Sequence, residues 1–437
     1  MQHRHEHEPL LNKTSTGLKH AGPAGDVTIN GASIALVCTA VGAGIVTVPK
    51  AFNASGWGAG IVVFAVIALL NMLSLNCLFR CSQLEYGSSS YQSLVQRHLP
   101  YCLSLSVEIS LAALLLGAIG TTLLLALHVL HSVELTIGFA SVGQNQLAVP
   151  LFLITLLFCM PRNFTDLAWV NLVNLICTVG VVLLICWQCA QMIHAKSSEW
   201  LPHVQPHGPI RSSSSYEVVP FTSLEGILAA IPMGLYMFFC QIQAPQLFSE
   251  LRHGLEQSAH LISFYAVASC FVIYSMIGVL GYAAFGAATQ DDILHQLVLN
   301  SPGRSFLYIA QSLFSMVLLL STPLMLTPLR TMLASKLDGT VVADTKTFGM
   351  RLTMTAVILA LALLIALSVP CVDFIMSILG STCVIFLSST VPGILTIQCL
   401  YGWKNQVAGW TLLCAGVCCT PLTIRAVMLQ HFHHLLV

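Results

Sequence analysis

Stretches of roughly twenty apolar residues, separated by short polar connections, recur along almost the whole chain. That recurrence limits the fold more than any other feature. A helix needs about 20 residues to cross the hydrocarbon core of a bilayer. Backbone groups in hydrocarbon must find partners within the protein, and a helix supplies them within one segment. The runs do not alternate apolar with polar residues, so they do not read as barrel strands. Only 8% of the 437 residues are charged and 56% are hydrophobic, whereas soluble domains carry about 25% charged residues. The expectation is an all-α polytopic membrane protein.

Hydropathy places about eleven transmembrane helices, near residues 31–52, 58–79, 102–130, 147–160, 166–190, 224–248, 259–285, 305–332, 350–369, 374–397 and 407–429. This divides the chain into a polar, His-rich, disordered tail (1–30), a core of ten spans (31–400) and an eleventh span with a short tail (401–437). The tail has no apolar core of the signal-peptide kind, so the first span is expected to act as an uncleaved anchor. With the N-terminus in the cytosol, alternation puts Arg4, Lys13, Lys19, Arg80, Arg97, Arg162, Arg252, Arg330, Lys336, Lys346, Arg351 and Lys404 on the cytosolic side. Lys196, Arg211 and Arg304 fall opposite. This skew follows the positive-inside rule and sends the C-terminus to the outer or lumenal side.

Formal net charge is zero, which leaves no basic excess for nucleic acid. Most of the 16 Cys, among them Cys186, Cys240, Cys270, Cys383 and Cys418, lie inside apolar runs. They read as small packing residues, with no metal, disulfide framework or organic cofactor expected. Asn12 and Asn163 fall on the cytosolic side and Asn53 against the membrane, so glycosylation is not expected.

Two spans contain helix breakers. The first holds GAGIVTVPKAF, Gly42 to Phe52. The sixth holds Pro232 and Gly234, then Pro245 in FFCQIQAPQLFSEL, Phe238 to Leu251. Gly and Pro are poor helix formers, and broken helices persist in membranes where their free backbone groups face protein, water or a ligand. Small residues also serve close helix contact. Breaks at matching places in two five-span halves point to an inverted-repeat transporter.

These segments carry a resemblance. GAGIVTVPKAF and FFCQIQAPQLFSEL, then GYAAFG (Gly281 to Gly286) followed by DDIL, STPLMLTPLRTML (Ser321 to Leu333) and SILGSTCVIFLSSTVPGIL (Ser377 to Leu395) resemble, in order, motifs of the amino acid/auxin permease family. Within it the chain is most similar to the sodium-coupled neutral amino acid transporter group. The resemblance implies a LeuT-type 5+5 inverted repeat with spans one and six unwound at mid-membrane. It implies a substrate carboxylate at the amides of Val41, Gly42, Ala43 and Gly44, and a substrate amino group at carbonyls of Phe238, Phe239 and Cys240. It puts a coupling cation, H+ or Na+, near Ser321 and Thr322. Two positions depart. Cys38 stands where several sodium-coupled members have Asn, and sulfur is a poor ligand for a hard cation. Gln241 replaces a frequent His.

Glu108 lies inside the third span, which makes it a candidate proton relay or a carboxyl hydrogen-bonded near a span end. Glu250 reads as a helix-end partner. His128 and His131 read as interfacial residues or pH sensors. His3, His5, His7 and His20 belong to the polar tail. In that tail Glu6, Leu10 and Leu11 resemble an acidic dileucine sorting signal for cytosolic adaptor proteins. The expected function is secondary active transport of neutral amino acids in an endolysosomal or vacuolar membrane, with the plasma membrane as the alternative site. The competing function is an amino acid sensor that signals through its tail. The chain lacks HExxH, GxSxG and paired intramembrane carboxylates, so no enzyme is expected.

Overall fold

The computed structural model describes residues 27–84, 90–137, 144–160, 167–198, 218–252, 254–300, 305–338, 348–369 and 371–436. The dileucine pattern at Glu6, Leu10 and Leu11 and the tail histidines lie outside them. The helices are α1 (Ile29–Ala40), α2 (Val48–Ser55), α3 (Trp57–Leu84), α4 (Tyr91–His98), α5 (Tyr101–Ile137), α6 (Gln144–Phe158), α7 (Leu167–Ser198) and α8 (Leu224–Met237). They continue as α9 (Ala244–Ser249), α10 (Ala259–Phe285), α11 (Ile293–Asn300), α12 (Ser305–Asp338), α13 (Phe348–Ser368), α14 (Val372–Leu379), α15 (Val391–Cys399) and α16 (Trp403–Leu436). Among the described residues the only β pairing is a lone bridge between Val27 and Leu251.

Nine helical segments among the described residues are long and apolar enough to cross a membrane. A tenth forms if α1 and the bent segment Gly44–Ser55 are one span. The expected fourth span corresponds to a shorter apolar helix at Gln146–Phe158. Large apolar residues remain exposed along the outside, such as Val62, Val66 and Leu69 on α3 and Leu361 and Leu364 on α13. Their outward faces suit lipid rather than water.

Local chemistry accounts for the joints. Thr28 caps α1 by accepting the Gly31 N–H at 3.2 Å. Between α2 and α3 the chain turns at Gly56, whose φ is +87°. A Cβ there would sit 2.6 Å from the Pro220 carbonyl oxygen, so only glycine fits. That carbonyl accepts from Gly58 and Ala59, both at 3.0 Å, and so satisfies two of the unpaired amides at the start of α3. Between α14 and α15 the backbone widens into π-type turns at Gly380–Val384 and Phe386–Thr390. Such turns loosen the regular ladder. Tyr91 donates to the Leu387 carbonyl at 2.7 Å, and Ser74 donates to that of Ser388.

Helix α10 packs on α1, α2, α3 and α7. It therefore touches both halves of the first broken span, and its inner face looks onto the second.

Candidate functional site

The first break follows Ala40, the last residue of α1. Val41 still donates to Val37, but Gly42 donates back to Ala40 at 3.0 Å, and a short 3-10 turn from Ala43 to Thr47 leads into α2. The helical halves meet at 59°. Pro49 sits in the first turn of α2, where its missing N–H costs nothing. Gly42 is buried, yet a Cβ added to it would meet no atom within 4 Å. Open space therefore lies in front of this residue. Gly44 is the reverse: an added Cβ would stand 3.0 Å from Met376 Cε and 3.3 Å from Met237 Cγ.

The second break follows Met237. Phe238 ends α8, Cys240 leaves the helical region with φ −141° and ψ 9°, and a 3-10 turn at Gln241–Gln243 restarts the chain into α9. Side chains from other spans hold it. Asn71 of α3 donates to the Phe238 carbonyl at 2.6 Å. The Tyr274 hydroxyl of α10 lies 2.7 Å from the Ala40 carbonyl and 2.9 Å from that of Met237. These are the last residues of two half-helices, whose C-terminal ends carry partial negative charge. A hydroxyl has one proton, so it serves one carbonyl at a time. The ring of Tyr274 packs edge-on against Phe64 and Phe238. The Gln241 side chain accepts the Cys240 N–H at 3.1 Å, and its fully buried Nε2 has no hydrogen-bond partner.

The seven residues expected at the substrate thus fall on two breaks that one tyrosine ties together. Among Cys38–Thr47 and Met237–Gln243 there is no charged side chain. Toward one end, Thr39 donates to Gln243 at 2.6 Å. Val27 and Arg252 complete a closure there through the bridge bonds Val27 N to Glu250 O and Arg252 N to Val27 O.

Of the residues expected near a cation, Ser321 and Thr322 are buried on α12. Ser321 accepts from Asn174 of α7 at 3.3 Å. The Oδ1 of Asn174 has no hydrogen-bond partner. Cys38 lies on a different face, half-buried in an apolar groove with Val37, Val41, Thr178 and Ile273. Asn174 and Thr178 are one turn apart on α7, so one face of that helix borders both groups. Glu108, with its two readings, has the environment of the second: it accepts from Gln96 at 2.7 Å and pairs with Lys336 at 2.7 Å. Glu250 accepts from Gln246 in its own turn.

In the first turn of α2, Lys50 pairs with Asp291 at 3.5 Å. Donor atoms of Asp291, Cys371 and Asp373 lie within 4.8 Å of one another, so the Lys50 ammonium supplies the cluster with positive charge. Beside it Asp292 caps α11, accepting from Leu294 and His295. Burial pushes its carboxyl above the usual range, against the pull of those amides and of His128. Burial, with His131 nearby, lowers His295 below the ordinary histidine value. The His128 ring stands 6.2 Å from that of His295.

Sequence reasoning singled out neither Asn71, Asn174 nor Tyr274. The available signal was their polarity inside otherwise apolar spans.

The family model for transmembrane amino acid transporter proteins matches residues 26–429. The chain is 24% identical over 399 residues to vacuolar amino acid transporter 5 of Schizosaccharomyces pombe, covering 89% of this chain and 88% of the relative. It is 23% identical to human solute carrier family 38 member 8, covering 82% of each. It is 22% identical to sodium-coupled neutral amino acid transporter 7 of Xenopus laevis, covering 90% of this chain and 86% of that one. Among solved structures, a Na+-coupled sialic acid symporter in an outward-open state aligns with TM-score 0.52 at 15% identity, covering 91% and 90%. The Eremococcus coleocola manganese transporter aligns with TM-score 0.55 at 14% identity, covering 92% and 86%. At these identities the structures establish a shared LeuT-like transporter fold.

Proposed function

Because the chain belongs to the transmembrane amino acid transporter family, we propose that it moves neutral amino acids across its membrane by alternating access around the two breaks. The observation that carries this reading is the open space before Gly42, beside two half-helix ends joined through Tyr274. The α-carboxylate faces the amides of Val41, Gly42, Ala43 and Gly44. The ammonium faces the carbonyls of Phe238, Phe239 and Cys240. With no charged side chain at either break, a charged substrate side chain would lack a counter-ion, and its desolvation would cost several kcal/mol. Neutral side chains avoid that cost, and the name of the Xenopus relative points the same way.

Protons are the proposed coupling ion, at least as effective as sodium, because Cys38 offers sulfur and hard cations favour oxygen. Ser321 and Thr322, with the unpartnered Asn174 oxygen, are the place a cation would use. The proposed address is an endolysosomal or vacuole-like membrane, supported by the vacuolar fission-yeast relative and the tail motif at Glu6, Leu10 and Leu11, which adaptors would read. Residues 31–400 would then be the transporting core, with the tail and the eleventh span as additions.

The test is flux in liposomes holding the purified protein, with a panel of amino acids under separately imposed pH and sodium gradients. Neutral amino acids should accumulate under a pH gradient alone. No flux of any amino acid would overturn transport, and strict dependence on sodium would overturn the proton reading.

A further inference from the structure

At the end of the molecule away from Lys50 and Asp291, on the cytosolic side in the orientation set by Lys and Arg, two arginines are buried between helices. Arg330 of α12 is 3% exposed and Arg351 of α13 is 5% exposed. Arg330 Nη1 lies 3.4 Å from the Cys159 carbonyl, just past the end of α6, and 3.3 Å from Thr355 Oγ1. Thr355 follows Arg351 by one turn, so the two guanidiniums border one junction of α6, α12 and α13. Arg351 Nε and Nη1 are buried and have no hydrogen-bond partner. Its Cζ stands 5.7 Å above the ring of Phe348, a residue open to the outside.

Nothing acidic among the described residues pairs with Arg351. One carboxylate of this end, Glu108, is already engaged by Lys336 and Gln96. A buried guanidinium with unmet donors costs several kcal/mol, and its planar fork matches the oxygens of a phosphate. Arg351 lies in the first turn of α13, at the cytosolic end of a helix long and apolar enough to cross. The cytosolic leaflet is also the one that carries anionic lipid.

We propose that Arg330 and Arg351 bind a phosphate group at this junction, the chemistry that an anionic phospholipid headgroup presents from the adjoining leaflet and that a free phosphate shares. Arg351 makes the forked contact. Arg330, held by the α6 end and Thr355, adds charge from the other wall.

The test uses the full-length protein purified in neutral detergent, with short-chain phosphatidylinositol phosphate, phosphatidylcholine or inorganic phosphate as probes. Thermal midpoint and lipid retained per protein are read. The phosphoinositide should raise the parent's midpoint and phosphatidylcholine should not. If inorganic phosphate gives the same rise, the site holds and its ligand is the free ion; if only the lipid does, the headgroup is the ligand. Arg351→Gln should cut retention roughly tenfold, the weight of one charge-assisted contact. Its midpoint without probe should equal or exceed the parent's, because the change removes a buried charge that lacks a partner. Arg351→Lys, which keeps the charge and loses the fork, should fall between. The proposal is overturned if no phosphate probe shifts the parent. It is overturned equally if Arg351→Gln lowers the midpoint without probe, since that reveals an internal partner, or retains lipid as the parent does.

Discussion

At the first break the chain is opened by its own residues: Gly42 faces empty space, Gly44 is pressed between Met237 and Met376, and Pro49 restarts the helix. At the second break the chain is held open by others. Asn71 reaches in from α3, Tyr274 reaches in from α10, and Gln241 folds back onto the Cys240 amide. The difference is between a break that small residues permit and one that hydrogen bonds maintain. Substitutions at the first should act through space, and those at the second through donors.

The largest effect is expected at the first break. Gly44→Val should reduce flux to background and lower stability by about 1–3 kcal/mol, the usual cost of overpacking, because its side chain has no room beside Met376. Gly42→Val should also abolish flux, with abundance and thermal midpoint close to the parent, because its side chain enters the open space a substrate would use. Flux and midpoint measured on both variants separate the two. Normal flux in Gly42→Val would show that the space is idle and would break the comparison.

A smaller effect is expected at the second break. Tyr274→Phe keeps the ring against Phe64 and Phe238 and removes only the shared proton. One neutral hydrogen bond contributes about 1 kcal/mol, so KM should rise roughly fivefold with little change in maximal rate. An unchanged KM with a lowered midpoint would mean that the hydroxyl braces the fold and does nothing for the substrate.

The smallest effect tests the far end of the first broken span, where α2 reaches the Lys50–Asp291 pair. His295 has its folded value lowered from 6.5. Its neutral form therefore stabilises the fold, fully above 6.5, and that contribution is lost as pH falls from there through the lowered value. Asp292 has the opposite sign. Its raised value makes the protonated carboxyl the favoured form, a contribution present at low pH and lost as pH rises through that value. The parent's midpoint should drop on acidification below 6.5, offset in part by Asp292. His295→Gln should remove the His295 part of that drop. A midpoint with the same pH dependence in parent and variant would show that this end does not respond to protons.

Much of the architecture was legible because hydrocarbon leaves few choices. Nine of the apolar runs expected between residues 57 and 430 reappear as helices long enough to cross. The first break falls at Gly42 and Gly44 and the second just before Pro245, whereas α8 continues unbroken through Pro232 and Gly234. The span near 147–160 was legible as apolar but came out short, with Pro150 inside it. Glu108 stood out as an intramembrane charge, yet its partners Gln96 and Lys336 come from helices that hydropathy does not align. Cys38 was grouped with Ser321 and Thr322 by resemblance, and in the fold one face of α7 borders both, through Thr178 and Asn174.

The sequence by itself determined the solvent, the helical class and the positions at which two helices cannot continue, because those depend on the chemistry of neighbouring residues along the chain. Only the tertiary structure decided what completes each break. Asn71, Tyr274 and Asn174 are polar residues in apolar runs, and nothing local says which group each will meet. The cost of an unpaired polar group inside the membrane favours finding a partner. Which partner it is depends on how α3, α7 and α10 pack around the break.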